Sequence, residues 1–234
     1  MTIRDFKALT FDCYGTLIDW ESGLLDALHP WAERHGVRVS DERLLEVFAE
    51  AEAAAERETP QARYTDILRK VHARIAAAFR VSSLEIEAEA LAQSVGDWPP
   101  FPDTVAALRL LKQRHKLVIV SNVDRTSFAR TNAKLGIVFD AIITAEDVGV
   151  YKPDPRMFQR ALAVLGGMGI HSGEMLHVAQ SLYHDHVPAK ALGLTTVWVD
   201  RRRDKLGWGA TVPPSGSVKP DYVVASLAEL ASLP

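Results

Sequence analysis

Hydrophobic and polar positions change their rhythm twice along this chain. Phe6 to Phe11 is a largely apolar, β-prone run that meets Asp12 and then a glycine-containing turn at Cys13-Tyr14-Gly15-Thr16. That pattern predicts a buried strand with the aspartate at its C-terminal tip. Apolar residues then recur at helical spacing. One helix is predicted from Ser22 to His35, stopping at Gly36, and a second after Ser40, carrying Leu44, Leu45, Val47 and Phe48. The second runs on into an Ala/Glu-rich stretch, Ala49 to Glu58, whose composition favours helix without a strong apolar face. Thr59-Pro60 reads as an N-cap followed by proline at the first helical position, and Tyr64, Ile67, Leu68, Val71, Ile75 and Phe79 form one buried stripe. Ser82-Ser83-Leu84-Glu85 reads as a capping box for a helix ending near Gly96. With no strand between them, these helices predict a compact bundle inserted after the first strand. The proline-rich segment Asp97 to Pro102 closes it, because proline cannot continue a helix.

Beyond that segment strands alternate with helices. Predicted strands lie at Leu117–Val120, Ala141–Ile143, Met175–Ala179, Thr195–Val199 and Tyr222–Val224. Predicted helices run over Asp103–His115, Asp124–Leu135, from Lys152-Pro153-Asp154-Pro155 to Gly166-Gly167, over His184–Leu192, and after a capping box at Ser226-Leu227-Ala228-Glu229. Such alternation specifies an α/β fold, a parallel sheet with helices on both faces. The expected organisation is a Rossmann-like core formed by residues 1–17 and 97–234, with an α-helical cap at 18–96.

Composition narrows the partners. The formal net charge is −3, and the one basic run, Arg201-Arg202-Arg203, is flanked by Asp200 and Asp204. Nucleic-acid binding, which needs a concentrated positive face, is therefore not expected. The single cysteine, Cys13, excludes an internal disulfide framework and a cysteine-rich zinc site. As a free cysteine at a strand end it reads as a small buried filler. No apolar run approaches the ~18 residues of a membrane span, and the polar N-terminus lacks a signal-peptide core. The expectation is a soluble cytoplasmic protein with no membrane partner; whether it forms a homodimer is left open.

Chemistry collects at the predicted strand ends. Asp12 follows the first strand, Ser121-Asn122 the second, Lys152 lies on the loop after the third, and Gln180-Ser181 follows the fourth with Asp185 just beyond. Singly, each has an ordinary structural use as a cap, a loop charge or a first-turn acid. A parallel sheet puts all of these ends on one rim, and convergence of an acid, a hydroxyl, a cation and a second acid marks a candidate active site. Asp12 is placed to act as a nucleophile. Lys152 close by would keep it ionised, since an opposite charge lowers a carboxyl pKa.

These motifs, in this order and over the whole chain, resemble the haloacid dehalogenase superfamily. Within it the chain is similar to the type II L-2-haloacid dehalogenases and to enzymes that open the ring of L-azetidine-2-carboxylate, through Phe6 to Glu21, Ser121 to Asp124, Asn132 to Gly136 and Ser181 to His186. The resemblance implies that Asp12 displaces a leaving group from C2 of a small carboxylic acid, and that water then hydrolyses the ester to a 2-hydroxy acid. It gives Asp185 the task of holding Lys152 and orienting the water. It makes Ser121, Asn122, Gln180, Ser181 and the Thr16 hydroxyl and its neighbouring backbone candidates for binding the substrate, with Tyr14 either packing or touching it. Of His184 and His186, one could protonate a leaving amine, or both could be structural, and Trp20, Trp31 and Trp98 are candidates for an apolar lid.

Most members of this superfamily are magnesium phosphatases, and two departures set this chain apart from them. Tyr14 stands where they carry a general acid, and Gln180 where they carry a magnesium-binding acid. No metal and no cofactor are therefore expected. The dehalogenases receive the halide on a cap arginine, for which Arg43 is the available stand-in, and they carry a tyrosine where this chain has Phe158. Carbon–halogen and strained carbon–nitrogen cleavage both remain open readings, with a phosphatase and a non-catalytic binding module as alternatives.

Overall fold

The computed structural model describes residues 2–234. Its strands are β1 (Ala8–Phe11), β2 (Lys116–Ser121), β3 (Ala141–Thr144), β4 (Met175–Ala179), β5 (Thr195–Val199) and β6 (Tyr222–Val224). Its helices are α1 (Trp20–Arg34), α2 (Asp41–Glu58), α3 (Tyr64–Ala78), α4 (Glu85–Ser94), α5 (Thr104–Leu111), α6 (Arg125–Leu135), α7 (Ala145–Val148), α8 (Arg156–Gly167), α9 (Val187–Ala191) and α10 (Leu227–Ser232).

All six strands pair in parallel in the order β3-β2-β1-β4-β5-β6. The first strand is thus central, flanked by β2 and β4. Every residue of β1 and of β4 is buried, as a parallel sheet covered on both faces requires. The register sets Phe11 opposite Ile119 on one side and Val178 on the other. Asp12 therefore emerges between the ends of β2 and β4, and its amide still donates to the Val178 carbonyl at 3.1 Å.

Between β1 and β2 the chain forms α1 to α4. α3 carries its predicted stripe of Tyr64, Ile67, Leu68, Val71 and Ile75 inward. Trp31 packs within this layer, its ring 5.6 Å from that of His72 and 6.4 Å from that of Phe79, so it is not part of a lid. The join with the sheet layer is made by Trp98, whose ring meets Tyr14 edge-on at 5.6 Å and packs on Gly23 of α1.

Several local readings change. Thr59 closes α2 rather than opening α3, donating its hydroxyl back to the Ala55 carbonyl at 2.9 Å, and the α3 N-cap is Arg63. The capping box over Ser82–Glu85 does not form: the α4 N-cap is Leu84 with no side-chain cap bond, and the Ser83 hydroxyl bonds His72 Nδ1 at 2.7 Å. In both places a tertiary or backward partner captures a side chain of the segment that local pattern assigns to a cap. The helix expected from His184 begins instead with a π-helical turn at Leu182–His186, then continues as α9. The long loop after β5 is tied down by its arginines. Arg201 bonds Asp103 at 2.9 Å and the Thr16 carbonyl at 3.0 Å. Arg202 reaches Glu21 of α1 at 2.5 Å and Glu42 of α2 at 2.6 Å. The basic run is thus largely committed to internal carboxylates.

A Cβ built on Gly23 falls 2.3 Å from Trp98 Cδ1. The Gly23→Ala protein is therefore expected to lose about 1–3 kcal/mol to overpacking, read as a lower urea midpoint at unchanged m-value.

Candidate active site

At the C-terminal rim three charged side chains meet away from water. Lys152 Nζ lies 2.8 Å from Asp12 Oδ1 and 2.7 Å from Asp185 Oδ1, and donates its third bond to the Val120 carbonyl at 3.0 Å. All three residues are buried, the lysine to within 1% of full enclosure. The lysine reaches this point because Asn122, at the end of β2, clamps its backbone: Asn122 Oδ1 accepts from the Lys152 amide at 2.6 Å and Nδ2 donates to the Lys152 carbonyl at 3.1 Å. Asn122 borders the cavity but spends its amide on positioning.

The nucleophile candidate is oriented from behind. Thr16 donates its hydroxyl to Asp12 Oδ2 at 2.7 Å and accepts from the Gln180 amide at 2.9 Å. Its one proton is thereby used, so the expectation that the Thr16 hydroxyl binds substrate is replaced by a role in holding Asp12. Burial pushes the Asp12 carboxyl above its ordinary value of 3.8, the Lys152 ammonium pulls it back, and Asp185 raises it again. The lysine therefore acts as the counterweight to burial. Asp185 responds differently. Burial raises it, yet Lys152 and His177 outweigh that and hold it well below the usual carboxylate range.

His177 was not singled out in the sequence. It sits fully buried in the middle of β4, with Nε2 2.9 Å from Asp185 Oδ1 and Nδ1 2.8 Å from the Thr10 hydroxyl. Phe158 packs edge-on against its ring at 4.8 Å. A histidine in an otherwise apolar central strand is the signal that could have identified it, since a buried polar side chain requires a partner.

Around this centre lies a cavity of about 40 Å³, lined by Asp12, Tyr14, Ser121, Gln180, Ser181 and Asp185 from the sheet layer and by Trp20, Glu52, Glu56 and Tyr64 from the cap helices. A larger recess of about 400 Å³ shares Glu56, Lys152 and His184 with it. Ser121 Oγ and Asp185 Oδ2 are buried without a hydrogen-bond partner, so each is free for a ligand or water. Tyr14 bonds Thr131 at 2.9 Å while lining the cavity. Ser181 accepts from the His184 amide at 3.0 Å. Burial lowers the pKa of His184 to about 4, and that of His186 likewise to about 4. His184 lines the cavity, whereas His186 points back to the Ala179 carbonyl at 3.0 Å. Cys13 is buried, and burial raises its thiol well above the ordinary value, as befits a filler.

Arg43 is not brought to the site. It is half exposed on α2 and pairs with Glu46 at 3.1 Å. The buried row of α2 that includes Phe48 brings Glu52 and Glu56 to the cavity instead, because helical spacing sets positions 48, 52 and 56 in one line. The signal was present in the sequence: the apolar row through Phe48, extended by whole turns, lands on two glutamates. Burial raises Glu52 to about 7 and Glu56 well above its ordinary value.

The donors do not fit magnesium, which needs a near-octahedral set of oxygens at about 2.0–2.1 Å. Gln180 presents an amide oxygen that accepts from Thr211 at 3.3 Å, and the Lys152 ammonium stands between the two acids. No cluster of three metal-binding side chains occurs among the described residues.

A parallel α/β sheet whose central strand delivers an acid to a buried lysine, beside a helical layer that completes the pocket, defines a class of Rossmann-like hydrolases. The chain belongs to the haloacid dehalogenase-like hydrolase family, whose sequence profile matches residues 6–193. It is 32% identical to a (S)-2-haloacid dehalogenase of Pseudomonas fluorescens over 139 residues, which is 57% of this chain and 55% of that protein. That match thus spans about half the relative's length. A (S)-2-haloacid dehalogenase 4A of Burkholderia cepacia is 26% identical over 97% of this chain and 94% of its own. Among solved structures, the L-2-haloacid dehalogenase from Xanthobacter autotrophicus superposes with a TM-score of 0.80 at 23% identity, covering 97% of both chains. Among the described residues no helix is long and apolar enough to cross a membrane.

The depressed Asp185 pKa makes a stability prediction. A carboxyl held low in the folded state contributes stability that is complete above its unfolded pKa near 3.9 and is lost as pH falls through the folded value. Replacing His177 by leucine removes one of the groups holding it low. His177→Leu protein is expected to be less stable at pH 7 by about 1–3 kcal/mol, and to lose less further stability between pH 4 and pH 2. Urea unfolding at the two ends of that range measures both.

Proposed function

We propose that this protein is a metal-independent hydrolase that displaces a leaving group from C2 of a small 2-substituted carboxylic acid through an ester on Asp12, giving a 2-hydroxy acid. The observation that carries this reading is the Lys152 ammonium bridging Asp12 and Asp185 at 2.8 and 2.7 Å. In the first step a carboxylate oxygen of Asp12 attacks C2 as the leaving group departs with the bonding pair. Thr16 and Lys152 fix the direction of that carboxylate, which turns the encounter into a positioned displacement. The unpartnered Ser121 hydroxyl, together with the positive charge of Lys152, suits the substrate's own carboxylate. In the second step water adds to the ester carbonyl of Asp12. Asp185 Oδ2, buried and without a partner, is the acceptor available to orient it.

For the leaving group, the names of the relatives support a halide, and 2-haloacid dehalogenation is the first reading. A second reading, opening of a strained ring amine such as azetidine-2-carboxylate, is favoured by two placements: Arg43 lies outside the cavity, and two glutamates face into it.

Single-turnover hydrolysis in oxygen-18 water tests the ester. The first product molecule is expected to carry unlabelled oxygen taken from Asp12, with the label appearing in the enzyme's aspartate. Asp12→Asn protein is expected to lose at least about 10³-fold in kcat on either substrate type. Label entering product directly in the first turnover, or undiminished turnover by Asp12→Asn protein, would overturn the assignment.

A further inference from the structure

The acids of the cavity outnumber its cations. Asp12, Asp185, Glu52 and Glu56 line it, and Lys152 is the one lysine or arginine among the described lining residues. Lys152 is already shared by Asp12 and Asp185. Neither glutamate is ion-paired among the described residues, and Glu56 feels the charges of Lys152 and Arg57 only at longer range. Glu52 accepts a hydrogen bond from the Tyr64 hydroxyl at 2.5 Å, and Glu56 only a long one from Asn122 at 3.4 Å. Both residues are more than nine-tenths buried, and α2 and α3 hold them rigidly over the sheet. Buried carboxyls without a paired cation are costly and shed that cost by holding protons. The raised values of both groups fit this arrangement: burial raises each, Asp12 adds to it at Glu52, and Glu52 adds to it at Glu56.

We infer that Glu52 and Glu56 form the leaving-group wall of the pocket and select substrates whose C2 substituent is a protonated amine nitrogen. This rests on the displacement reading above and assigns specificity within it. A 2-haloacid brings a carboxylate and a departing halide, both negative, to a cavity already rich in acids. A cyclic amino acid brings a carboxylate for the unpartnered Ser121 hydroxyl and an ammonium for the glutamates. Its binding releases the proton held by the acid pair and gives each N–H a charged acceptor, the stronger kind of hydrogen bond.

Protons and electrons balance along the reaction. The nitrogen enters carrying two protons and a positive charge, which neighbouring carboxylates help it to retain. Asp12 oxygen bonds to C2, the C2–N bond breaks with its pair on nitrogen, and the nitrogen becomes a neutral primary amine still tethered to the ester. Water then adds its oxygen to the ester carbonyl and the bond between Asp12 Cγ and the ester oxygen breaks, so that C2 keeps that oxygen as the product hydroxyl, Asp12 is restored as a carboxylate carrying the water oxygen, and the one proton released passes to the amine through the acid pair. The product is a 2-hydroxy acid bearing an ammonium group, and no external acid or metal is consumed.

Calorimetric binding at pH 7 to Asp12→Asn protein, which cannot turn over, tests the wall with two four-membered-ring acids that differ in the ring nitrogen. L-azetidine-2-carboxylate is expected to bind at least tenfold tighter than cyclobutanecarboxylate. Adding Glu52→Gln and Glu56→Gln is expected to bring the two within about twofold, since glutamine keeps an acceptor for Tyr64 but not the charge. Equal affinity for the two acids in Asp12→Asn protein, binding of neither, or a preference that survives both glutamine substitutions overturns the inference. The ester reading fails separately. Loss of the preference with oxygen-18 still appearing in Asp12 removes the acidic wall alone, and a retained preference without labelled aspartate removes the ester alone.

Discussion

One ammonium group, enclosed on every side, fixes the geometry on which the rest of the site depends. Lys152 Nζ has its donors spent on Asp12, Asp185 and the Val120 carbonyl, so it cannot turn towards another partner without leaving a buried acid unpaired. Desolvating ions costs several kcal/mol each, and removing one member of such a set costs more than the pair contributes. The triad is therefore better understood as a fixed point than as a source of stability. What it provides is an aspartate and a second acid held at set positions relative to one cation, in a space without bulk water, where electrostatic effects on a reacting group are strongest.

The fold supplies what that fixed point requires. Asp12 ends the central strand, and its neighbours β2 and β4 contribute Ser121, Asn122 and Gln180 from either side. Behind them a line of buried hydrogen bonds runs from Thr10 through His177 to Asp185 and on to Lys152. This line lies within and beside β4, where backbone geometry is most constrained. Rigid elements of this kind hold reacting groups more precisely than loops do. Thr16 and Asn122 work in the same way, spending their hydrogen bonds on Asp12 and on the Lys152 backbone.

The helical layer contributes differently. It is held to the sheet layer by Trp98 against Gly23 and Tyr14, and by Arg202, which joins the loop after β5 to Glu21 and Glu42. Through these contacts α2 presents Glu52 and Glu56 to the rim. The sheet side of the cavity carries groups suited to a carboxylate and a nucleophilic displacement. The cap side is acidic, and in the inference drawn above that character bears on which leaving group the pocket takes.

Much of this was already determined by sequence. The strand and helix alternation predicted the parallel sheet, because side-chain burial imposes its period directly on the chain. Met175–Ala179, Thr195–Val199 and Tyr222–Val224 form strands over the expected residues. The polar strand ends Asp12, Ser121, Lys152 and Asp185 were legible as one rim, since parallel strands must all point the same way. Tertiary structure decided matters that depend on a partner distant in the chain. Ser82–Glu85 could read as a capping box until α4 began with Leu84 as its N-cap and Ser83 bonded to His72, and Thr16 as a substrate ligand until Asp12 took its proton. Arg43 and Glu52 lie nine residues apart on one helix, and although the apolar row through Phe48 points to the glutamates, a charged side chain on a buried row is settled only by what packs against it. That choice belongs to the packing of α2 on its neighbours, which turned the glutamates inward and the arginine to water.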